Sequence, residues 1–171
     1  VEVDVLFPSR YKESDPFFFS TQFQSSSLFG IHQANTGSDT DLDWLATPND
    51  SGSVQVFVVK DDVESPNAHF QLSSSTFNVD ITSSVYKNLY DNGKWSLALR
   101  LRPKDYPVGG ITSQTDDDDY TLELYGVKMY GDTIEEEFSL SSSVGYTSSL
   151  DFLSVAKRLY VGAHRQNTTG T

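Results

Sequence analysis

The chain's 171 residues suffice for one domain with a real core. Acids outnumber bases 24 to 12, and the net charge of −12 excludes binding built on nucleic-acid or anionic-lipid phosphates, which needs clustered Lys and Arg. With no cysteine, a disulfide framework, a thiolate metal site and a cysteine nucleophile are all excluded, and assembly in a reducing compartment is favoured.

The opening residues, VEVDVLFP, alternate strictly. Val1, Val3, Val5 and Phe7 point one way and Glu2 and Asp4 the other, the period of a half-buried strand. Pro8 ends it, having no N–H for a ladder. FFFSTQF, 17–23, reads as a second extended stretch. In SSLFGIHQA, Leu28, Phe29 and Ile31 surround Gly30, which predicts a bulge or a close backbone approach. SVQVFVVKDD carries Val54, Val56 and Val58 on one face and Phe57 and Val59 on the other, the pattern of a central or doubly covered strand. AHFQLSS sets Phe70 and Leu72 on one face.

SSVYKNLYDNG spaces Val85 and Leu89 four apart before Gly93 and predicts one helical turn. KWSLALRLRP is the clearest strand, with Trp95, Leu97, Leu99 and Leu101 inward, Lys94, Ser96, Arg100 and Arg102 outward, and Pro103 as its stop. YTLELYGVKMYGD alternates through Leu122 and Leu124, and its apolar phase then moves to Val127 and Met129, which predicts a bulge at Gly126. Gly131-Asp132 turns the chain into TIEEEFSL, where Ile134, Glu136, Phe138 and Leu140 share a face. The pair reads as a hairpin with Glu136 near a rim. SLDFLSVA predicts a short helix, and RLYVGA the last strand. Seven or more short strands separated by turn signals predict an all-β, two-sheet antiparallel sandwich or jelly roll with minimal helix.

Reactive constellations are sparse. Glycosidases on such sandwiches use two carboxylates roughly 5–9 Å apart. Glu2 and Asp4 lie two apart on one strand face, but a Glu-x-Asp-x-x-Glu triplet would need an acid at Phe7, so the pair reads as solvated. Glu135 and Glu137 likewise share an exposed face with no aromatic sugar platform in the adjoining sequence. His32, His69 and His164 fall at neither helical nor hairpin ligand spacing, and neither a nucleophile elbow nor a phosphate loop occurs. Calcium is the one cofactor the acids suggest. Asp39, Asp41 and Asp43 alternate as at the start of an EF-hand loop, without its glycine and distal glutamate. Asp116, Asp117, Asp118 and Asp119 stand together, and either a cation or full solvation must relieve their repulsion. Trp44 beside the first cluster, and His164, Arg165 and Asn167 near the end, are the candidate carbohydrate contacts.

The phrases VEVDVLFP, SLFGIH, DNGKWSLALRLRP, YTLELYG and RLYVGAHRQNTTG follow in this order over nearly the whole chain. Together they resemble the concanavalin A-like lectin/glucanase superfamily in its laminin G-like branch, and most closely modules in large structural proteins of tailed bacteriophages. The resemblance implies a two-sheet jelly roll as a single module over 1–171. It also implies a closing strand after the NTTG turn, so that the chain reads as a piece of a longer one, or the strand as supplied from elsewhere. The function it implies is a non-enzymatic virion module on the phage particle surface: capsid decoration, tail or fibre. Its partners would be other virion proteins, copies of itself and host-surface glycans, with neither nucleic acid nor membrane insertion. The alternative is a calcium-assisted lectin domain of a secreted or cell-surface protein.

Overall fold

The computed structural model describes residues 1–8, 24–33, 53–104, 120–154 and 157–162. Two antiparallel sheets carry the described chain. The four-stranded sheet runs in the order β1 (Glu2–Leu6), β6 (Lys94–Pro103), β7 (Tyr120–Tyr130), β8 (Thr133–Val144). The five-stranded sheet runs β5 (Val79–Thr82), β4 (Ala68–Ser74), β3 (Ser53–Lys60), β2 (Ser25–Gln33), β9 (Lys157–Val161). A helix, α1 (Tyr146–Ser154), links β8 to β9. The chain thus changes sheet between β1 and β2, between β5 and β6, and between β8 and β9.

Alternation sets which side chains meet between the sheets. On β3, Val54, Val56 and Val58 are buried while Phe57 and Val59 stay partly exposed. β3 lies between β2 and β4, as its two apolar faces predict. From β6 come Trp95, Leu97 and Leu99, from β4 Phe70 and Leu72, from β7 Leu122 and Leu124. Phe70 joins the layers: its ring stacks on Phe138 of β8 at 4.7 Å and lies 4.9 Å from Trp95 of β6. Phe7, just past β1, closes on Phe70 edge-to-face at 5.9 Å. At the other end α1 puts Phe152 against Phe77, with ring centroids 5.4 Å apart. Among the described residues the result is an all-β sandwich with one short helix.

The glycine signals resolve in two ways. In β2 the ladder to β3 slips between Ser27 and Phe29, so a bulge does occur beside Gly30. In β7 no phase change occurs at Gly126. Tyr120, Leu122, Leu124, Gly126 and Lys128 all stay in the buried phase, and Met129 is 46% exposed. The slip comes later, between Lys128 and Met129, where Glu135 of β8 is the extra residue. Glu135 and Glu137 therefore part company: Glu135 reaches Lys128 at 3.0 Å, while Glu137 takes a bond from the Tyr125 hydroxyl.

Residues 84–93 form no helix. Asn88 and Asn92 take positive φ values of 55° and 66°, which interrupt helical geometry, and Tyr86 instead bridges Ala68. Val85 is left 48% exposed while Leu89 is buried. Further on, the β7–β8 hairpin turns on Gly131-Asp132 as expected, with Gly131 at φ 58°. β9 ends at Val161, where Gly162 turns at φ 67°; its N–H still reaches the Leu28 carbonyl of β2.

Candidate functional site

Each sheet turns one face outward, and the two outer faces differ in chemistry. On the four-stranded sheet the polar groups answer one another. Asp4 accepts the Ser96 hydroxyl at 2.7 Å and the Lys94 ammonium at 3.0 Å, and these hold its carboxyl below the ordinary value. Arg102 grips both Glu123 oxygens, at 3.0 and 2.8 Å, and Arg100 adds a bond at 2.6 Å. The Arg102 fork, helped by Arg100, keeps Glu123 ionised below its usual range against the opposing effect of burial. Carboxylates held this way are anions by construction, poorly suited to giving a proton to a leaving group near neutral pH.

The outer face of the five-stranded sheet is mostly amides, hydroxyls and rings, with Asp80 and Arg158 on its two edge strands. Tyr160, Gly30, Gln55, Ser73 and Asp80 lie in one row across β9, β2, β3, β4 and β5. Beside it runs a second row, Ser27, Phe57, Gln71 and Thr82. On the other side come Arg158, His32 and Ser53. Register alone makes these neighbours, since directly paired residues present their side chains to the same face.

Local packing fixes the geometry. A Cβ on Gly30 would lie 3.2 Å from His32 Nε2 and 3.3 Å from Gln55 Cγ, so the missing side chain leaves room for both. His32 is 4% exposed and meets the Tyr160 ring edge-to-face, with centroids 5.2 Å apart at 88°. Gln71 Nε2 donates to Asp80 Oδ1 at 2.6 Å, which orients an amide and a carboxylate side by side. Gln55 Oε1 is buried without a hydrogen-bond partner. Aromatic rings next to oriented amide and carboxylate groups can stack on a pyranose and bond its hydroxyls.

The residues singled out from sequence are not among those described. Asp39, Asp41, Asp43, Trp44, Asp116, Asp117, Asp118, Asp119, His164, Arg165 and Asn167 all fall outside the described residues. Among the described residues, no group of three or more His, Asp or Glu is arranged to hold a metal ion. No described helix is long and apolar enough to cross a membrane. The sheet-face residues carried one legible sign, the second apolar face of β3 at Phe57. Tyr160, Gln71 and Asp80 join it only through cross-strand register.

The described residues define a two-sheet β-sandwich whose outer faces differ: one carries ion pairs, the other aromatic rings and amides. Comparison with known proteins adds no relative: no family model, no curated protein and no solved structure matches the chain.

Proposed function

We propose that the chain is a non-enzymatic structural or adhesion module of a tailed-bacteriophage virion, a jelly roll of concanavalin A-like kind that holds surface glycans on its five-stranded sheet. The carrying observation is the paired rows Tyr160–Gly30–Gln55–Ser73–Asp80 and Phe57–Gln71, rigid strand positions that combine aromatic rings with oriented planar polar groups. Sites on strands hold such groups more firmly than sites on loops. The jelly-roll reading draws support from the three changes of sheet along the chain. The virion reading draws on the ordered phrases that resemble those of phage structural proteins, and on a cysteine-free composition that suits assembly in a reducing cytoplasm.

A glycan array probed with the full chain, in calcium and in chelator, tests the site. Binding is expected, and Gln71→Ala should weaken it roughly tenfold by removing the amide that Asp80 orients. No binding in either condition, or equal binding by the variant, defeats the sheet-face reading. Quantitative mass spectrometry of purified phage particles tests the origin, with a fixed copy number expected. Release of sugar from a β-glucan would overturn the non-enzymatic reading.

A further inference from the structure

Among the described residues the two sheets have four edge strands, and at each the backbone either finds a partner or is left open. β5 is four residues long, and β9 carries Lys157 and Arg158, both of which make further interactions. β1 turns Glu2 and Asp4 to the surface along its edge, and an antiparallel self-pairing about Asp4 would set carboxylate against carboxylate. β8 differs. It is 12 residues long, and charge is confined to its first half, Glu135, Glu136 and Glu137, where the bulge also lies. The second half, Phe138 to Val144, carries no charge, no proline and no bulge.

The direction of its backbone groups follows from two observations. The Tyr86 hydroxyl reaches the Glu137 carbonyl at 3.1 Å from outside the β7–β8 ladder, so that carbonyl points away from β7. Counting back from the two-residue Gly131-Asp132 turn, past the bulge, gives the same phase. Alternation then aims the N–H and C=O of Ser139, Ser141 and Ser143 at the free edge. Their side chains are exposed, and their backbone groups make no contact beyond a long one, 3.4 Å, from the Ser142 hydroxyl to the Ser143 carbonyl.

We infer that this edge is the contact surface for a second copy of the chain, β8 against β8, antiparallel about a two-fold axis at Ser141. In that register Ser141 faces Ser141, and Ser139 faces Ser143 of the second copy. Each outward N–H meets an outward carbonyl, and the hydroxyls add serine–serine pairs. Glu137 comes opposite Gly145 of the second copy, so no carboxylate opposes another. The self-complementarity resides in the sequence of the strand: acids in one half, small neutral residues in the other. The contact closes on itself and stops at a dimer, joining the four-stranded sheets into one of eight. It buries little apolar surface and joins two chains of charge −12, so it is weak and strengthens with salt. It stands independently of the glycan reading.

The test is sedimentation of the full chain from micromolar to millimolar concentration in low and high salt, with hydrogen exchange along the same series. A monomer–dimer equilibrium favoured by salt is expected, with the amides of Ser139, Ser141 and Ser143 slowing as concentration rises. Ser141→Pro removes an N–H that β7 does not use and should weaken the dimer roughly tenfold or more. Should that variant misfold, Ser141→Asp keeps the N–H and opposes like charges on the axis, with the same loss expected. A monomer throughout, a dimer indifferent to a folded Ser141 variant, or slowing confined to another strand overturns the inference.

Discussion

Gly126 lies in the core-facing phase of β7, where a Cβ would collide with the Phe138 ring and come within 2.9 Å of Leu97 Cδ2. Phe138 is itself pinned, because its ring stacks on Phe70 at 4.7 Å. The ring fills the space a β7 side chain would take, and backing away breaks that stack. Gly126→Ala should therefore destabilise the fold by about 1–3 kcal/mol through overpacking. Urea unfolding checks this, and Phe138→Leu in the same chain should recover part of the loss as a non-additive coupling. The same residue shows what sequence leaves unread. A glycine in an alternating run looks like a change of phase, and only the partner strand shows that the phase runs on with a neighbour's ring in its place. The positive φ of Asn88 and Asn92 was hidden in a similar way behind helix-like spacing.

Along the β7–β8 hairpin the inward phase ends on a charge. Lys128 is 8% exposed, and its ammonium sits 2.7 Å from Asp91 and 3.0 Å from Glu135. Burial opposes its charge, but the bonds to Asp91 and Glu135 outweigh that and hold its pKa above the ordinary value. Glu136, paired with it across the ladder, has its carboxyl pushed up, chiefly by burial and against the pull of Lys128. The hairpin turn was legible in Gly131-Asp132, and the rim position of Glu136 in its place among apolar residues. The lysine was not, because its carboxylates come from the 84–93 loop and from a bulge residue. Lys128→Met should cost about 2–4 kcal/mol at neutral pH by leaving three carboxylates without their cation. The sign with pH follows. Glu136 already has a raised pKa, so protonation favours the fold, and removing Lys128 raises that pKa further. The deficit of the variant relative to the native chain should shrink as pH falls through the carboxylate range. Denaturation midpoints of both proteins at neutral and mildly acidic pH measure it, and a constant deficit would contradict the account.

Across the whole molecule, the strands with clean alternation, β1, β3, β4 and β6, could be read from sequence because each buries one face, and burial is a local property of period two. The candidate sheet face could not. Its rows draw residues from five strands, and register between distant segments is fixed by the core rather than by any neighbour in sequence. The core has a pivot in Phe70, fully buried on β4 and touching the rings of Phe7, Tyr86, Trp95 and Phe138. Those partners belong to the four-stranded sheet, to the segment just beyond β1 and to the loop before β6, so neither sheet keeps its inner face without the other. Phe70→Ala should cost about 3–5 kcal/mol, a large share of the roughly 5–15 kcal/mol that holds a domain together. Because the loss falls on both layers at once, urea unfolding followed by tryptophan fluorescence and by far-ultraviolet circular dichroism should shift together to a lower midpoint with an unchanged slope. Two separated transitions would mean that the sheets are held independently, and the outer rows would then lack the common frame that sets their register.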